Sequence, residues 1–322
     1  MLDQLRPVLL VLTVASAAGL LSCQSLGIDG LGVDGVRVYP DPPAAGDALV
    51  AALRADDAVA LGDILGKDAE ALLVSGDEVS DETERARFVR LYDVDHRWVS
   101  SGAGAAVLEI GARAWPFPVP LVRSGEGWAF ALDQGADELL NRRIGRNELA
   151  AIQACLAFVD AEREYYDLNP RGLPTPEYAR FLMSRGGEKN GLYWETGAGE
   201  EPSPLGSVFA AATAAGYALE VGAPRPFHGY SFRVLDAQGE NAPGGAMDYV
   251  VDGAMTQGFA LLAWPARYGA SGVMTFVINQ VGVVYEKDLG PDTVNVASEI
   301  AAFDPDPSWA IVSEQALVPP GS

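Results

Sequence analysis

Helical periodicity that gives way twice to runs of strand-like segments is the feature that most restricts the fold of this chain. Residues 46–93 carry helical spacing and are followed by short segments separated by glycine-containing turns. The same change recurs after residues 147–167, where one apolar stripe is formed at i, i+3, i+4 and i+7 by Ile152, Cys155, Leu156 and Val159. Helices segregated from consecutive strands are typical of an α+β fold with antiparallel sheets.

The first half of the chain predicts helices followed by an antiparallel meander. Its four predicted strands are His96–Ser100, Ala105–Gly111, Pro118–Arg123 and Trp128–Leu132. This order resembles the cone-shaped fold of the nuclear-transport-factor-2-like and cystatin-like superfamily, in architecture only. The resemblance implies a sheet that curves around the helices.

The second half predicts one long helix over 147–167, with Asn147 as its N-cap and Glu148 in its first turn. Turn-rich residues 169–204 predict a long surface loop, and further helices are expected at Leu205–Ala215 and Val294–Ala302. The predicted strands are Tyr230–Leu235, Tyr249–Val251, Gly258–Trp264, Val273–Asn279 and Val283–Lys287.

The long helix, the Gly-Tyr-x-Phe segment at 229–232 and the later strand pair resemble the globular part of type IV pilins and pseudopilins. The resemblance covers about 145–293 and implies a long helix packed on an antiparallel sheet. The chain has no pilin leader with a glutamate-bearing apolar helix, so polymerisation is not expected. The predicted organisation is a signal peptide (1–22), a lipid-anchored tether (23–45), a cone-like domain (46–143), a pilin-like domain (144–312) and a tail (313–322).

The N-terminus predicts export and lipidation. An apolar run from Val8 to Leu21 ends in Leu-Leu-Ser-Cys, which matches the bacterial lipobox and makes Cys23 the acylated residue. No aspartate follows Cys23, and in sorted lipoproteins of Gram-negative bacteria this favours the outer membrane. We therefore expect a lipoprotein of the cell envelope that faces the periplasm and contacts the membrane through its anchor.

Composition excludes several classes of function. The formal net charge of −22 argues against nucleic-acid binding, which requires cations to neutralise phosphates. With two histidines and one thiol besides Cys23, no His/Cys metal site is expected. No cofactor is expected either, because Gly30-x-Gly32-x-x-Gly35 lacks the strand and helix that a dinucleotide fingerprint needs.

The reactive residue types do not form a catalytic motif in the sequence. Ser271 lacks the spacing of a nucleophile elbow, and Cys155 on the apolar stripe is interpreted as an inert core residue. His228 is the one credible base, although its setting at a strand entrance is more typical of a structural histidine. The acidic cluster Asp160, Glu162 and Glu164 is interpreted as a solvated helix face.

Polar and aromatic residues at strand ends and loops make the best candidate binding site, because sites on rigid scaffolds tend to lie there. Tryptophan, tyrosine and arginine are also the residues that anchor interfaces. The candidate set consists of Tyr193, Trp194, His228, Tyr230, Trp264, Arg267, Tyr268, Lys287 and Asp288. The alternative is structural: the tryptophans fill the rim of the core and Lys287–Asp288 is a surface pair.

Several long segments resemble one bacterial envelope family, numbered 2950 among domains of unknown function. They are WPFPVPLV (115–122), RIGRNELAAIQACLAFVDAEREY (143–165), GLYWE (191–195), HGYSFRVLDAQG (228–239), GFALLAWPARYGASGVMTFVINQ (258–280) and GVVYEKDLGPDT (282–293). Members look like exported proteins or lipoproteins of unassigned activity. Val281 stands where this family is expected to carry an aspartate.

Together these features predict a non-catalytic protein that binds or scaffolds at the envelope, with a protein or glycan partner. The alternative is a periplasmic hydrolase acting on cell-wall or polysaccharide material, with His228 or a carboxylate as base. A deep pocket lined by His228 and a carboxylate with a perturbed pKa would favour the hydrolase, and a flat aromatic surface would favour the binding protein.

Overall fold

The computed structural model describes residues 35–197, 199–218 and 225–313. The predicted signal peptide, Cys23 and most of the tether lie outside the described residues, as do the last nine residues of the tail. The helices of the described part are α1 (Pro42–Ala55), α2 (Ala58–Leu65), α3 (Ala69–Leu73), α4 (Glu78–Val94), α5 (Ala136–Leu168), α6 (Gly206–Ala214) and α7 (Thr293–Glu299). No helix in this part combines the length and the apolar character needed to cross a membrane.

The strands form two groups along the chain, one after α4 and one after α5. The first group is β1 (His96–Ser100), β2 (Ala105–Ile110), β3 (Trp115–Pro116), β4 (Leu121–Ser124) and β5 (Gly127–Phe130). The second group is β6 (Phe181–Met183), β7 (Gly191–Tyr193), β8 (Tyr230–Leu235), β9 (Ala237–Gln238), β10 (Met247–Asp248), β11 (Val250–Val251), β12 (Ala254–Met255), β13 (Ala260–Pro265), β14 (Met274–Asn279), β15 (Tyr285–Asp288) and β16 (Ala310–Ile311). The predicted α+β class is confirmed.

Aspartates begin three of the N-terminal helices. Asp41, Asp57 and Asp77 have extended backbones, and each side chain accepts a hydrogen bond from an amide three residues later. These bonds satisfy N–H groups that lack a partner inside the helix, which is why aspartate is favoured at an N-cap.

The N-terminal unit is an antiparallel sheet that packs on α1, α2 and α4. Its strand order is β1-β2-β4-β5, with β3 paired to β2, as the predicted meander requires. The predicted tether ends earlier than residue 45, because Tyr39 exchanges two backbone hydrogen bonds of 2.8 Å with Trp128. Helix α1 then begins at Pro42, so residues 39–45 belong to the folded unit.

Helix α5 is longer than the sequence predicts. It has 33 residues and begins at Ala136, eleven residues before the predicted N-cap, Asn147. Asn147 is therefore not a cap: its buried side chain donates to the carbonyl of Ser271 across 2.9 Å. The helix also runs through the predicted domain boundary at 143/144, so one continuous element belongs to both units.

The C-terminal unit is a five-stranded antiparallel sheet of order β16-β15-β14-β13-β8. Helix α5 covers one face, where Phe158 contacts Phe259 edge-to-face at 5.6 Å. Helix α7 covers the other face, where Arg233 of β8 donates to its last carbonyls. The predicted arrangement of a long helix on an antiparallel sheet is confirmed, and the last two predicted strands pair with each other as β14 and β15.

Residues 169–204 are not the predicted surface loop. Strands β6 and β7 pair in parallel within this segment, and Ala179 and Leu192 are fully buried in the C-terminal core. The many Gly and Pro residues break the segment into short pieces without keeping it out of the core.

Buried polar groups join the two units. The carboxylate of Asp77 accepts hydrogen bonds from the phenol of Tyr217 at 2.9 Å and from the amide of Gly229 at 2.8 Å. The carboxylate of Glu148 accepts from the amides of Val273 and Met274, each at 3.0 Å. These bonds fix the start of β8 and of β14 relative to α4 and α5.

Replacing Asp77 is expected to destabilise the protein strongly. Asp77→Ala removes the N-cap of α4 and leaves two buried donors of the C-terminal unit without an acceptor. We expect a loss of about 3–5 kcal/mol in the free energy of unfolding, measured by urea denaturation. Asp57→Ala, which removes an exposed cap alone, is the control and is expected to cost about 1 kcal/mol. Equal losses would show that the junction contributes nothing.

Candidate ligand-binding cavity

A cavity of about 780 Å³ lies between α5, α6, β6 and the edge strand β8. Pockets that enclose small ligands measure about 300–1,000 Å³ and are mostly apolar. The walls of this cavity are apolar over most of their surface, and include Ala154, Leu182, Val208, Phe209, Phe232 and Leu261. The cavity thus has the size and the chemistry of a small-molecule site.

Small side chains on α5 leave the space open. Ala150, Ala154 and Ala157 all line the cavity, and their i, i+4, i+7 spacing places them on one helix face. On the opposite side, β8 is the last strand of its sheet, so its outer edge has no sheet neighbour among the described strands. An alanine face opposite a sheet edge leaves a gap that larger side chains would have filled.

Charge at the cavity is the reverse of charge in the whole chain. The full sequence has 22 basic and 44 acidic residues. Among the described residues of the lining, four are arginine and one carries a carboxylate: Arg180, Arg185, Arg225, Arg233 and Asp236. Basic residues therefore outnumber acidic ones in the described lining of a strongly acidic protein.

The guanidinium of Arg233 is already hydrogen-bonded within the protein. Arg233 donates to the carbonyls of Ala297 and Ile300, both at 2.6 Å, at the C-terminal end of α7. Burial lowers the pKa of Arg233. Its guanidinium is thus committed to the helix end, whose carbonyls favour a cation.

The arginines on either side of β6 are less constrained. Arg180 pairs with Asp236 at 3.3 Å, but its Nε is buried and has no hydrogen-bond partner. Arg185 is exposed and lies over the ring of Phe181, 3.8 Å from Cζ to the ring centroid. No carboxylate of the described residues pairs with Arg185.

His228 lies at the rim of this cavity. Its backbone has a positive φ of 50°, and its ring packs against Phe227 at 4.3 Å and Tyr217 at 6.1 Å between centroids. Burial lowers the pKa of His228, and the nearby charge of Asp77 opposes this shift. The lowered pKa favours the neutral imidazole.

Ser271, the serine weighed in the sequence, is buried and already bonded. Its hydroxyl donates to the carbonyl of Arg267 at 3.1 Å and accepts from the amide of the same residue at 3.0 Å. Both bonds close a local turn. Asp77, whose charge acts on His228, accepts hydrogen bonds from Tyr217 and Gly229 and not from an imidazole nitrogen.

The structure separates the nine candidate residues of the sequence. His228 lines the cavity, and Tyr193 contributes indirectly, because it stacks at 4.4 Å on Phe209 of the cavity wall. Tyr230 is fully buried and donates to the carbonyl of Met274. Trp194 packs edge-to-face on Tyr165 at 6.3 Å.

The remaining candidates lie elsewhere on the C-terminal sheet. Trp264 lies under Arg233 at 5.6 Å, and Lys287 lies over Trp309 at 5.7 Å. Tyr268 donates to Asp288 at 3.2 Å, and Arg267 donates to the carbonyl of Val74 at 3.0 Å. A smaller cavity of about 390 Å³ is lined by Lys287, Trp309, Val296 of α7 and residues that follow this helix. The nine residues therefore do not form one continuous site.

The interpretation of the α5 acidic cluster as a solvated face is wrong for Glu162. Asp160 and Glu164 are exposed, but Glu162 is fully buried. It lies seven residues after Cys155, on the same side of the helix as the apolar stripe. One carboxyl oxygen accepts from the amide of Ala179 at 2.8 Å, and the other has no partner. Burial raises the pKa of Glu162 well above its usual value, against the smaller effect of this hydrogen bond.

Cys155 is an inert core residue, as the sequence predicts. The thiol is fully buried, and burial raises its pKa to about 12. The described residues contain no group of three or more histidine, cysteine, aspartate or glutamate side chains that could hold a metal ion.

Sequence reasoning missed the arginines of the cavity. Arg180 and Arg185 lie in the segment for which the sequence predicts a surface loop. One sequence feature does indicate the cavity. Alanines at 150, 154 and 157 share a second face of α5, which large core side chains do not fill.

Fold and cavity define an α+β protein in which one long helix joins two units and borders an apolar, arginine-containing cavity. The chain belongs to the family described as protein of unknown function (DUF2950), whose sequence profile matches residues 36–312. No curated protein and no solved structure shows significant similarity to the chain. The family resemblance of the sequence motifs is thus confirmed, and the likeness to pilins rests on architecture alone.

Glu162→Gln is expected to remove a pH dependence of stability. Because the folded pKa is raised, the folded protein keeps a proton that the unfolded chain loses above about pH 4.5. The carboxyl therefore costs stability as pH rises from that point through the folded pKa. Glutamine stays neutral and can still accept from Ala179, so the variant should gain more stability at about pH 8 than at about pH 5.

The measurement is the free energy of unfolding of both proteins at the two pH values, from urea denaturation. Glu164→Gln, a change at an exposed neighbour two residues away, is the control and should leave the pH dependence unchanged. A parallel pH dependence in the wild type and Glu162→Gln would contradict the burial argument.

Proposed function

We propose that this chain is a non-catalytic binding protein of the cell envelope whose ligand occupies the α5–α6 cavity. The observation that carries the proposal is an apolar cavity of about 780 Å³ bordered by two helices and two strands. Burial of apolar ligand surface contributes about 25 cal/mol per Å². A preformed cavity retains most of this free energy, because little of the protein has to be ordered on binding.

The chemistry of the walls favours an apolar ligand over a glycan. A glycan presents hydroxyl groups that need hydrogen-bond partners, and burying a hydroxyl without one costs about 1–3 kcal/mol. Most of the wall consists of alanine, leucine, valine and phenylalanine side chains. This lining supports a ligand with a long apolar part.

The proposed location is the periplasmic side of the outer membrane, with the chain anchored through an acylated Cys23. The support is the lipobox and the absence of aspartate after the cysteine. A short tether would then hold the cavity near the membrane surface, where apolar and amphipathic molecules are concentrated. The described residues begin at Gly35, so this part of the proposal depends on the sequence.

A protein partner on the C-terminal sheet is a further part of the binding hypothesis. Arg267 and Asp288 are exposed, and the Tyr268–Asp288 hydrogen bond holds one aromatic ring beside them. Tyr230 is fully buried and Trp194 packs on Tyr165, so neither side chain would touch the partner.

One observation favours the hydrolase as a second candidate: the cavity is lined by His228, whose lowered pKa makes it a neutral base. The carboxylate in the same lining, Asp236, is paired with Arg180. Turnover of wall or polysaccharide substrates that is abolished by His228→Ala would favour this candidate. Ligand binding that His228→Ala leaves intact, without turnover, would favour the binding protein.

Filling the cavity is expected to abolish binding of an apolar ligand. Ala154→Trp places an indole in the space between α5 and α6. Titration with a neutral, polarity-sensitive dye should show saturable binding to the wild type and at least about a tenfold weaker Kd for the variant. Ala86→Trp, at an exposed position of α4, is the control and should bind the dye as the wild type does. Unchanged dye binding by Ala154→Trp would exclude this cavity as the site.

A further inference from the structure

We infer that the ligand of the cavity is a single-chain amphiphile with an anionic head group, which Arg180 and Arg185 bind. This inference rests on the proposed function and names its ligand class. Its two observations are the elongated apolar lining and the reversal of charge between the cavity and the chain.

The shape of the lining suits one extended chain. Residues before the start of β8, Phe227 and His228, and Asp236 after its end all contribute to the walls. The lining therefore follows the whole of β8, a length of roughly 20 Å at about 3.3 Å per residue. An extended acyl chain has this form and needs no polar partner along its length.

The charge of the lining suits an anionic head group. Arg180 and Arg185 flank β6, so both guanidinium groups belong to one wall of the cavity. The Arg180 side chain is 36% exposed, so a ligand can reach its guanidinium beside the pair with Asp236. Arginine binds carboxylate and phosphate groups through its planar set of N–H donors.

Arg185 completes the head-group site from the solvent side. Its guanidinium is held over the ring of Phe181 instead of being paired with a carboxylate of the described residues. A stacked guanidinium is positioned in advance, so it loses little side-chain entropy when it binds an anion. Asp236 lies in the same lining, and its negative charge would repel an anion. Its ion pair with Arg180 neutralises this charge.

The test compares ligands that share one alkyl chain and differ in the head group. Displacement of the neutral dye from the full chain is measured with palmitate, hexadecyl phosphate, hexadecanol and hexadecylamine, each below its micelle concentration. We expect at least one anion to bind about tenfold more tightly than hexadecanol, since its hydrogen bonds to the guanidinium groups are charge-assisted. Which anion binds more tightly distinguishes a carboxylate from a phosphate ligand.

Arg185→Ala separates the head group from the chain. The variant should lose about tenfold in affinity for the preferred anion and keep the wild-type affinity for hexadecanol. Arg90→Ala, at an exposed arginine of α4, is the control and should change neither affinity. An unchanged hexadecanol affinity also shows that the Arg185→Ala cavity is still folded.

The outcomes distinguish this inference from the proposed function. If all four compounds displace the dye equally, or if the amine binds most tightly, the anionic head group is excluded and the apolar binding function stands. If the dye binds without saturation and Ala154→Trp has no effect, the proposed function itself fails. An Arg185→Ala variant with wild-type affinity for both anions would also overturn the inference.

Discussion

The attachment of the middle of α5 to the loop before β14 is the constraint on which the rest of the structure depends. Glu148 accepts the amides of Val273 and Met274, and Asn147 donates to the carbonyl of Ser271. A helix of 33 residues is about 50 Å long, enough to pass through both cores. Its first turns pack on the N-terminal core and its later turns on the C-terminal core. Fixing the helix at its centre therefore fixes both units, and Asp77 adds a second connection at the start of β8.

The cavity follows from this arrangement. Helix α5 must offer large side chains to the sheet, and Phe158 and Val159 are buried there. On its neighbouring face, Ala150, Ala154 and Ala157 meet no comparable layer and border the cavity instead. Close packing normally removes such space, because each buried methylene contributes about 0.8 kcal/mol. A cavity of this size is thus a cost in stability that a bound apolar group would offset.

The sequence predicts the elements better than it predicts the contacts between them. β1 and β8 have the predicted bounds, since alternation and turn residues are local properties. Asn147 has the local features of an N-cap, but its partner Ser271 is 124 residues away. Carboxylates on a helix are usually solvated, yet the spacing of Glu162 from Cys155 places it on the apolar stripe. The gathering of arginines around one cavity depends on tertiary structure, and no local pattern reveals it.

The acidity of the chain is compatible with a cationic cavity. At physiological salt, charges further apart than about 8 Å are largely screened from each other in solvent. An anionic ligand at the cavity therefore experiences Arg180 and Arg185 far more than the net charge of −22 on the whole chain. The net charge instead affects association rates: it slows the approach of anions and keeps the protein from adhering to anionic surfaces. Transfer of the alkyl chain from water supplies the favourable free energy of binding, and the arginines decide which head group can remain at the mouth.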